Sequence, residues 1–393
     1  MQFNGYIRPD GSVGIRNYVL IMPVVSCMEG VAQAIAALLD DALVVSQEHG
    51  CLYGGNEQVG HGMVGIGANP NAAAVLLLGM GCESFTPSVI ATPLEKTGKP
   101  VRVLSALKEG GIRRTFAKGL QIARELQDYA KSVQRQPADI SALTVAVKCG
   151  GSDTSSGLAS NPSVGQAADL LVDAGAKVLF SEPIEMVGGE AVLAARAATP
   201  EVAEDIRTLV SQEEKRWSVP GVKTEFMCMG NVLGGLTSIE EKSLGSILKS
   251  GSKPIKGVLP FNAQGLTKPT EAGLYIQEGT HWDPHAITHF AAAGAQIILF
   301  TTGFGACLES PLSPTIRVSG NPESIATVGD DIDVDASGIM LGTDSIEAVG
   351  ERILAKILAA ANGERTRVEG LNNVGFSFYN KDQRLEHFLG FSG

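Results

Sequence analysis

At 393 residues the chain is too long for one ordinary core, and its 44% hydrophobic content is built on small aliphatics, with aromatics at only 5%; helices packed on parallel strands in two domains fit that composition better than an aromatic-rich sandwich. A formal charge of −11 and a pI near 5.1 repel a phosphate backbone on average, which argues against nucleic acid and requires any acidic substrate to meet locally placed Arg or Lys. The polar N-terminus "MQFNGYIRPDG", the shortness of the longest apolar run and six cysteines without a CxxC pair argue against a signal core, a membrane span, a disulfide scaffold and a zinc ribbon, so the expected location is the cytoplasm.

In chain order, "YVLIMPVVS" (18–26) reads as a buried strand and "MEGVAQAIAALLD" (28–40) as a helix with one apolar face. Strands are expected at 42–46, 74–80 and 101–106. A helix follows at 114–133, where Phe116, Leu120, Ala123, Leu126 and Ala130 fall at helical spacing. The polar "QRQPAD" (134–139) marks a boundary, giving domains 1–137 and 138–393. In the second part, strand 143–148 leads into "CGGSDTSSGLASNP". A helix then runs from Pro162 to Ala174, with Asn161 as N-cap and Gly175 as the stop, and strand 176–181 ends at Glu182. "SIEEKSLGSILKSG" (238–251) opens with a capping box of Ser238 and Glu241. Strand 255–261, helix 284–295, strand 296–302 and an amphipathic helix at 345–361 complete the pattern. Strands alternating with helices predict an α/β protein: two Rossmann-like domains whose mainly parallel sheets are covered by helices.

Each cysteine lies just after an expected strand, and ligands of open parallel sheets bind beyond the carboxyl ends of the strands. Thiols converging there would suit iron or a similar metal, whereas free cysteine is equally at home as a small buried residue. Glycine-rich "GHGMVGIG" and "TTGFGAC" do not match GxGxxG at a strand-to-helix turn, and neither the Walker spacing nor a GxSxG elbow occurs, so nucleotide and serine-hydrolase readings lack support. Arg8, Arg16 and Asn17 flank a tight turn, where arginines either hold carboxylates or are merely solvated. His285 and His289 stand at i, i+4 with His281 and Asp283 just before them, a spacing that can hold a metal, though no third ligand is fixed and histidines are common at helix starts. Glu182, Glu185 and Glu190 follow the strand paired with the Cys149 loop, as catalytic carboxylates or as helix-capping charges.

"GYIRPDGSVGIRNYVLIMPVVSC", "NPNAAAVLLLGMGCE", "KCGGSDTSSGLASNPSVGQAADLLVDAG", "FSEPIEMVGGE", "GNVLGGLTSIEEKSLGSILKSG" and "AAAGAQIILFTTGFG" together resemble the altronate/galactarate dehydratase family, which includes the large subunit of sulfolactate sulfo-lyase. The likeness covers nearly the whole chain. It implies a lyase that removes water from a sugar acid or related hydroxy acid to give a 2-oxo acid; the alternative is a sulfo-lyase releasing sulfite and pyruvate. It also implies a divalent metal, Fe2+ first, with Mn2+ or Mg2+ or an iron–sulfur cluster as other options. Family members carry a small β-rich domain ahead of this region or use a separate small subunit. This chain starts at "GYIRPDG", so a partner chain is expected, and a homo-oligomer on general grounds.

On this reading Cys51, Cys82, Cys149 and His49 are the metal ligands. Lys148 or Glu182 is the base, and Ser152 or Asp153 assists the leaving group. Arg8, Arg16, Asn17, Gly150, Gly151 and Lys242 bind the anionic substrate. Three positions depart from the family pattern: Gln47 replaces a histidine four residues before Cys51, Phe304 replaces the arginine of "TTGRG", and "QEGTHWDP" replaces a "DTP"-like segment. Losing a fixed cation at Phe304 argues against assuming a sugar diacid. A non-catalytic metal or redox module and an inert scaffold subunit are the rival classes.

Overall fold

A computed structural model describes residues 1–47, 57–83, 85–218, 227–262, 265–306, 308–371 and 375–378. The chain opens with β1 (Gln2–Ile7) and β2 (Val13–Gly14), an antiparallel pair. Then come β3 (Tyr18–Pro23), α1 (Glu29–Ala36), β4 (Ala42–Val44), α2 (Glu57–Ala68), β5 (Ala72–Gly79), α3 (Pro87–Glu95), β6 (Val101–Ser105) and α4 (Ile112–Ser132). The four strands β3 to β6 form a parallel sheet in the order β4-β3-β5-β6. Every residue of β5 is buried, as a central parallel strand covered on both faces requires. Val19 and Ile21 pack on α1 and α4, while Leu20 and Met22 pack on α2 and α3. Alternate residues of one strand thus serve opposite faces.

The polar stretch read as a boundary is itself partly β7 (Gln136–Asp139), which pairs antiparallel with β1. Its composition hides this: Pro137 cannot donate to a ladder and is tolerated only at such an edge. After β7 come β8 (Thr144–Gly150), a π-turn (Ser156–Ser160), α5 (Asn161–Asp173), β9 (Lys177–Phe180), α6 (Glu190–Ala195), α7 (Pro200–Trp217), α8 (Met229–Leu233) and α9 (Ile239–Ile247), extended by a 3-10 turn (Leu248–Ser250). β10 (Ile255–Leu259), the short pair β11 (Phe261–Asn262) and β12 (Gly265–Leu266), β13 (Gly273–Gln277), α10 (Asp283–Ala292) and β14 (Ile297–Thr302) follow. The described elements end with β15 (Thr315–Ser319), α11 (Pro322–Val328), β16 (Val334–Asp335), α12 (Ser337–Met340) and α13 (Ile346–Ala361). Seven of these strands form a parallel sheet in the order β10-β13-β9-β8-β14-β15-β16. Val145 and Val147 of β8 lie in the core with α5 and α13, and Ala146 faces α10. The molecule is therefore an α/β protein with two helix-covered parallel sheets.

Asn161 is not the N-cap of α5. Helical backbone begins earlier, through the π-turn, and the Asn161 side chain instead accepts from Thr301 Oγ1 at 2.6 Å and donates to the Gly245 carbonyl at 3.0 Å. Ser238 does cap α9, accepting from the Glu241 N–H, while Glu241 reaches back to Thr237. Among the described residues no helix is long and apolar enough to cross a membrane.

Candidate active site

β8 and β9 are neighbours in the second sheet, so their carboxyl ends bring Cys149 and Glu182 together. Glu182 sits in the left-handed region at φ 77, ψ 60, one of two described non-glycine residues with positive φ. Such a backbone costs about 1–3 kcal/mol and persists where surrounding contacts over-determine it. Here those contacts are two ammonium groups. Lys148 Nζ donates to Glu182 Oε1, and Lys249 Nζ lies 2.8 Å from Oε2. Glu185, one turn onward, pairs with Lys242 at 3.1 Å through Oε1. Its Oε2 accepts from the Cys149 thiol at 3.0 Å and from Ser246 Oγ at 3.1 Å. Lys148 also reaches Asp283 Oδ1 at 2.8 Å and the Cys149 carbonyl at 2.7 Å. Three lysines thus face three carboxylates, of which Glu182 and Glu185 are buried and Asp283 is partly exposed.

Burial opposes charge throughout, and the neighbours decide the outcome. The thiol of Cys149 is pushed up to about 11, first by burial and then by Glu182 and Glu185, so it keeps its proton at neutral pH. Burial would also raise Glu185, but Lys242, Lys148 and Lys249 overcome it and hold the carboxylate well below its ordinary range. Glu182 is pushed upward by burial and by Glu185. Lys148, Lys242 and Lys249 are raised despite burial, Lys148 chiefly by Asp283 and Glu182, and all three remain ammonium ions.

The cluster backs a cavity of about 570 Å³ lined by Gly150, Gly151, Glu185, Lys242, Asn231, Cys228, His281, Asp283, Trp217 and Trp282. His281 meets the Trp217 ring edge-on at 5.0 Å, and its Nδ1 is buried without a partner. Burial lowers its pKa to about 4, leaving a neutral imidazole at pH 7. Gly150 is required by close approach: a Cβ there would fall 2.5 Å from the Phe300 ring and 2.9 Å from Asp283 Oδ2. Gly150→Ala is expected to lower stability by about 1–3 kcal/mol through overpacking and to displace Asp283 from Lys148. Thermal unfolding together with kcat checks both effects; an unchanged Tm with full activity would count against this packing.

Other expected site residues lie elsewhere. Arg8 is buried and donates to the Pro70 carbonyl, the Arg16 carbonyl and Asn17 Oδ1, while Asn17 Nδ2 donates to the Ala130 carbonyl. Arg16 forms a two-point ion pair with Glu369 and donates to the carbonyls of Ala360 and Glu364. These three residues bind the first turn to the body of the protein and do not line the cavity. Asp153 spends its oxygens on Ser155, Ser156 and Asn321, holding its own loop. Ser152 is buried beside it, outside the cavity lining. Lys148 and Glu182 are fully buried and do not line the cavity, whereas the carboxylates of Glu185 and Asp283 do. Cys82 is exposed and does not join Cys149, and His49 and Cys51 lie outside the described residues. His289 packs against Phe261, away from the cavity lining. Sequence reasoning passed over Lys249 and Trp217, and had Asp283 only as a neighbour of the histidine pair. A signal for Lys249 existed: Lys242, Ser246 and Lys249 are spaced i, i+4, i+7, one face of a helix.

Among the described residues one group of metal-type donors comes together, Cys149, Glu182 and Glu185, with ligand atoms within 4.8 Å of one another. That spacing could hold a metal ion. The carboxylates are already taken, Glu182 by Lys148 and Lys249 and Glu185 by Lys242. As they stand they do not fit a divalent ion, which needs free carboxylate oxygens.

Residues 140–383 match the family model described as D-galactarate/altronate dehydratase, C-terminal, and residues 5–131 match that of D-galactarate dehydratase/altronate hydrolase, second domain. The chain belongs to the D-galactarate/altronate dehydratase family. Members of this family resemble it to different extents. It is 35% identical over 380 residues to the (2R)-sulfolactate sulfo-lyase subunit beta of Chromohalobacter salexigens, covering 95% of this chain and 96% of that one. It is 30% identical to the altronate dehydratase of Bacillus subtilis, covering 92% of this chain and 74% of the relative. It is 32% identical to the galactarate dehydratase (L-threo-forming) of Escherichia coli, covering 92% and 73%. Both halves of the cluster, from β8–β9 and from α9, fall within the C-terminal family match.

Proposed function

We propose that this member of the family is a lyase for a small anionic hydroxy acid, forming a 2-oxo acid by loss of a group β to the carboxylate. The observation that carries the reading is the pairing of Glu185 with Lys242 on the cavity wall, a carboxylate beside an ammonium ion. The proton α to a carboxylate is very weakly acidic, so its removal needs a base and a cation where negative charge develops. Glu185 takes that proton. Lys242 faces the enediolate, and Gly150 and Gly151 leave room for the substrate carboxylate to approach the backbone. Lys148, Lys249 and Glu182 hold Glu185 from behind. When water leaves, the proton that Glu185 has taken passes to the departing hydroxyl; the enol then ketonises. A base in this place replaces the earlier expectation for Lys148 or Glu182, because neither reaches the cavity.

A second reading gives the leaving group as sulfite. It is favoured by the 35% identity, over 95% of this chain, to a protein named as a sulfo-lyase subunit beta. In that case the C–S bond breaks, its electron pair departs with sulfite, and no protonation of the leaving group is needed. Phe304, half exposed and beside Gly151, places an aromatic ring rather than a cation at this loop. The same match supports a separate partner subunit; a small size for that partner and a ferrous cofactor remain parts of the proposal.

The deciding experiment offers sugar acids and sulfolactate to protein purified anaerobically with ferrous ion, alone and with any subunit that co-purifies with it, and records 2-oxo acid and sulfite together. The dehydratase reading predicts 2-oxo acid without sulfite from a sugar acid. The sulfo-lyase reading predicts equal amounts of both products from sulfolactate. Neither product from any acid would overturn the lyase proposal.

A further inference from the structure

The group spaced to hold an ion already encloses a cation. Lys249 Nζ lies 2.8 Å from Glu182 Oε2, 3.1 Å from Cys149 Sγ and 3.9 Å from Glu185 Oε2, thereby facing all three candidate ligands at once. Its remaining near neighbour is Ser246 Oγ at 2.6 Å, one helical turn away. The side chain comes from the 3-10 extension of α9 and is 1% exposed, so no water competes for the place. We infer that Lys249 is the resident cation of the Cys149, Glu182 and Glu185 group and occupies the position a divalent ion would take there.

Two physical arguments support this. An ion bound through sulfur and oxygen needs contacts of about 2.0–2.3 Å, so it would compete for the same three atoms that the ammonium nitrogen faces at 2.8, 3.1 and 3.9 Å. Lys148 and Lys242 lie on the other oxygens of the same two carboxylates, so a divalent ion arriving beside Lys249 would add its charge to three positive neighbours without any free acceptor. The ammonium group satisfies the carboxylates without a metal and holds the thiol in line with Glu185. The inference concerns this group alone and holds for either leaving group.

Co2+ is the probe, because cobalt bound to a thiolate gives a charge-transfer absorption independent of turnover. The full-length chain is titrated anaerobically with Co2+ and the bound ion counted. The native protein is expected to show no thiolate band that depends on Cys149. Lys249→Met is expected to gain one Co2+ per chain with a thiolate band, and Lys249→Met with Cys149→Ser is expected to lose that band. A Co2+ thiolate band in the native chain that Cys149→Ser abolishes would overturn the inference without any lysine variant. So would a folded Lys249→Met protein that takes up no cobalt. Should Lys249→Met fail to fold, Lys249→Gln keeps a polar group against Glu182 and is read in the same way.

Discussion

Glu185→Gln is expected to lower kcat by about 10²–10⁴-fold, the usual contribution of a positioned general base, with KM changed far less. The substitution keeps the shape of the side chain, and its amide oxygen can replace either the oxygen that faces Lys242 or the one that accepts from the Cys149 thiol, but not both. What it removes is the ability to take a proton. Glu185 is suited to the role because it alone of the two buried glutamates lines the cavity, while the lysines behind it keep it ionised. Circular dichroism and thermal unfolding establish that the variant is folded, and initial rates of 2-oxo acid formation give kcat and KM. A kcat within a few-fold of the native value would remove Glu185 from the proton transfer. The same loss in Glu182→Gln, with Glu185→Gln active, would move the role one turn back.

Arg16→Ala should instead act on stability. Arg16 is 8% exposed, joined to Glu369 at 2.5 Å and 2.7 Å, and donates to backbone carbonyls of the last helix and the segment after it. Removing one partner of a buried ion pair typically costs about 3–5 kcal/mol, because the remaining charge stays buried without compensation. Glu369 would be that remaining charge, and the expected result is a large fall in the unfolding midpoint with kcat and KM of the folded fraction unchanged. A KM raised tenfold or more at native stability would restore Arg16 as a substrate ligand. The pair Arg16→Ala, Glu369→Leu should recover part of the lost stability, since the orphaned carboxylate is then gone as well.

Much of the architecture was legible from periodicity. The strands expected at 74–80 and 296–302 occur as Ala72–Gly79 and Ile297–Thr302, and the helix expected at 345–361 begins at Ile346 with Ser345 as its cap. Parallel strands buried on both faces announce themselves as apolar runs, and an amphipathic helix by its 3.6-residue spacing. β7 was not legible, since "QPAD" has turn composition and becomes a strand only because β1 supplies a partner. Within the site, Cys149, Glu182 and Lys242 stood out from their positions at strand ends and in a helix. The arginines misled, because charge pattern alone cannot distinguish an anion ligand from a buried tie, and Glu369 lies 353 residues from Arg16.

The sequence by itself therefore determined the α/β class, most strand and helix positions, the family and the strand end at which Cys149 stands. Those properties depend on short-range patterns of apolar and turn-forming residues, or on long ordered motifs. Only the tertiary structure decided which charges meet. Strand order placed β9 beside β8, and the packing of α9 brought Lys249 to a cysteine 100 residues earlier in the chain. In a buried, low-dielectric place that meeting determines protonation and ion binding, because each group's charge is stabilised or opposed by its immediate neighbours rather than by water.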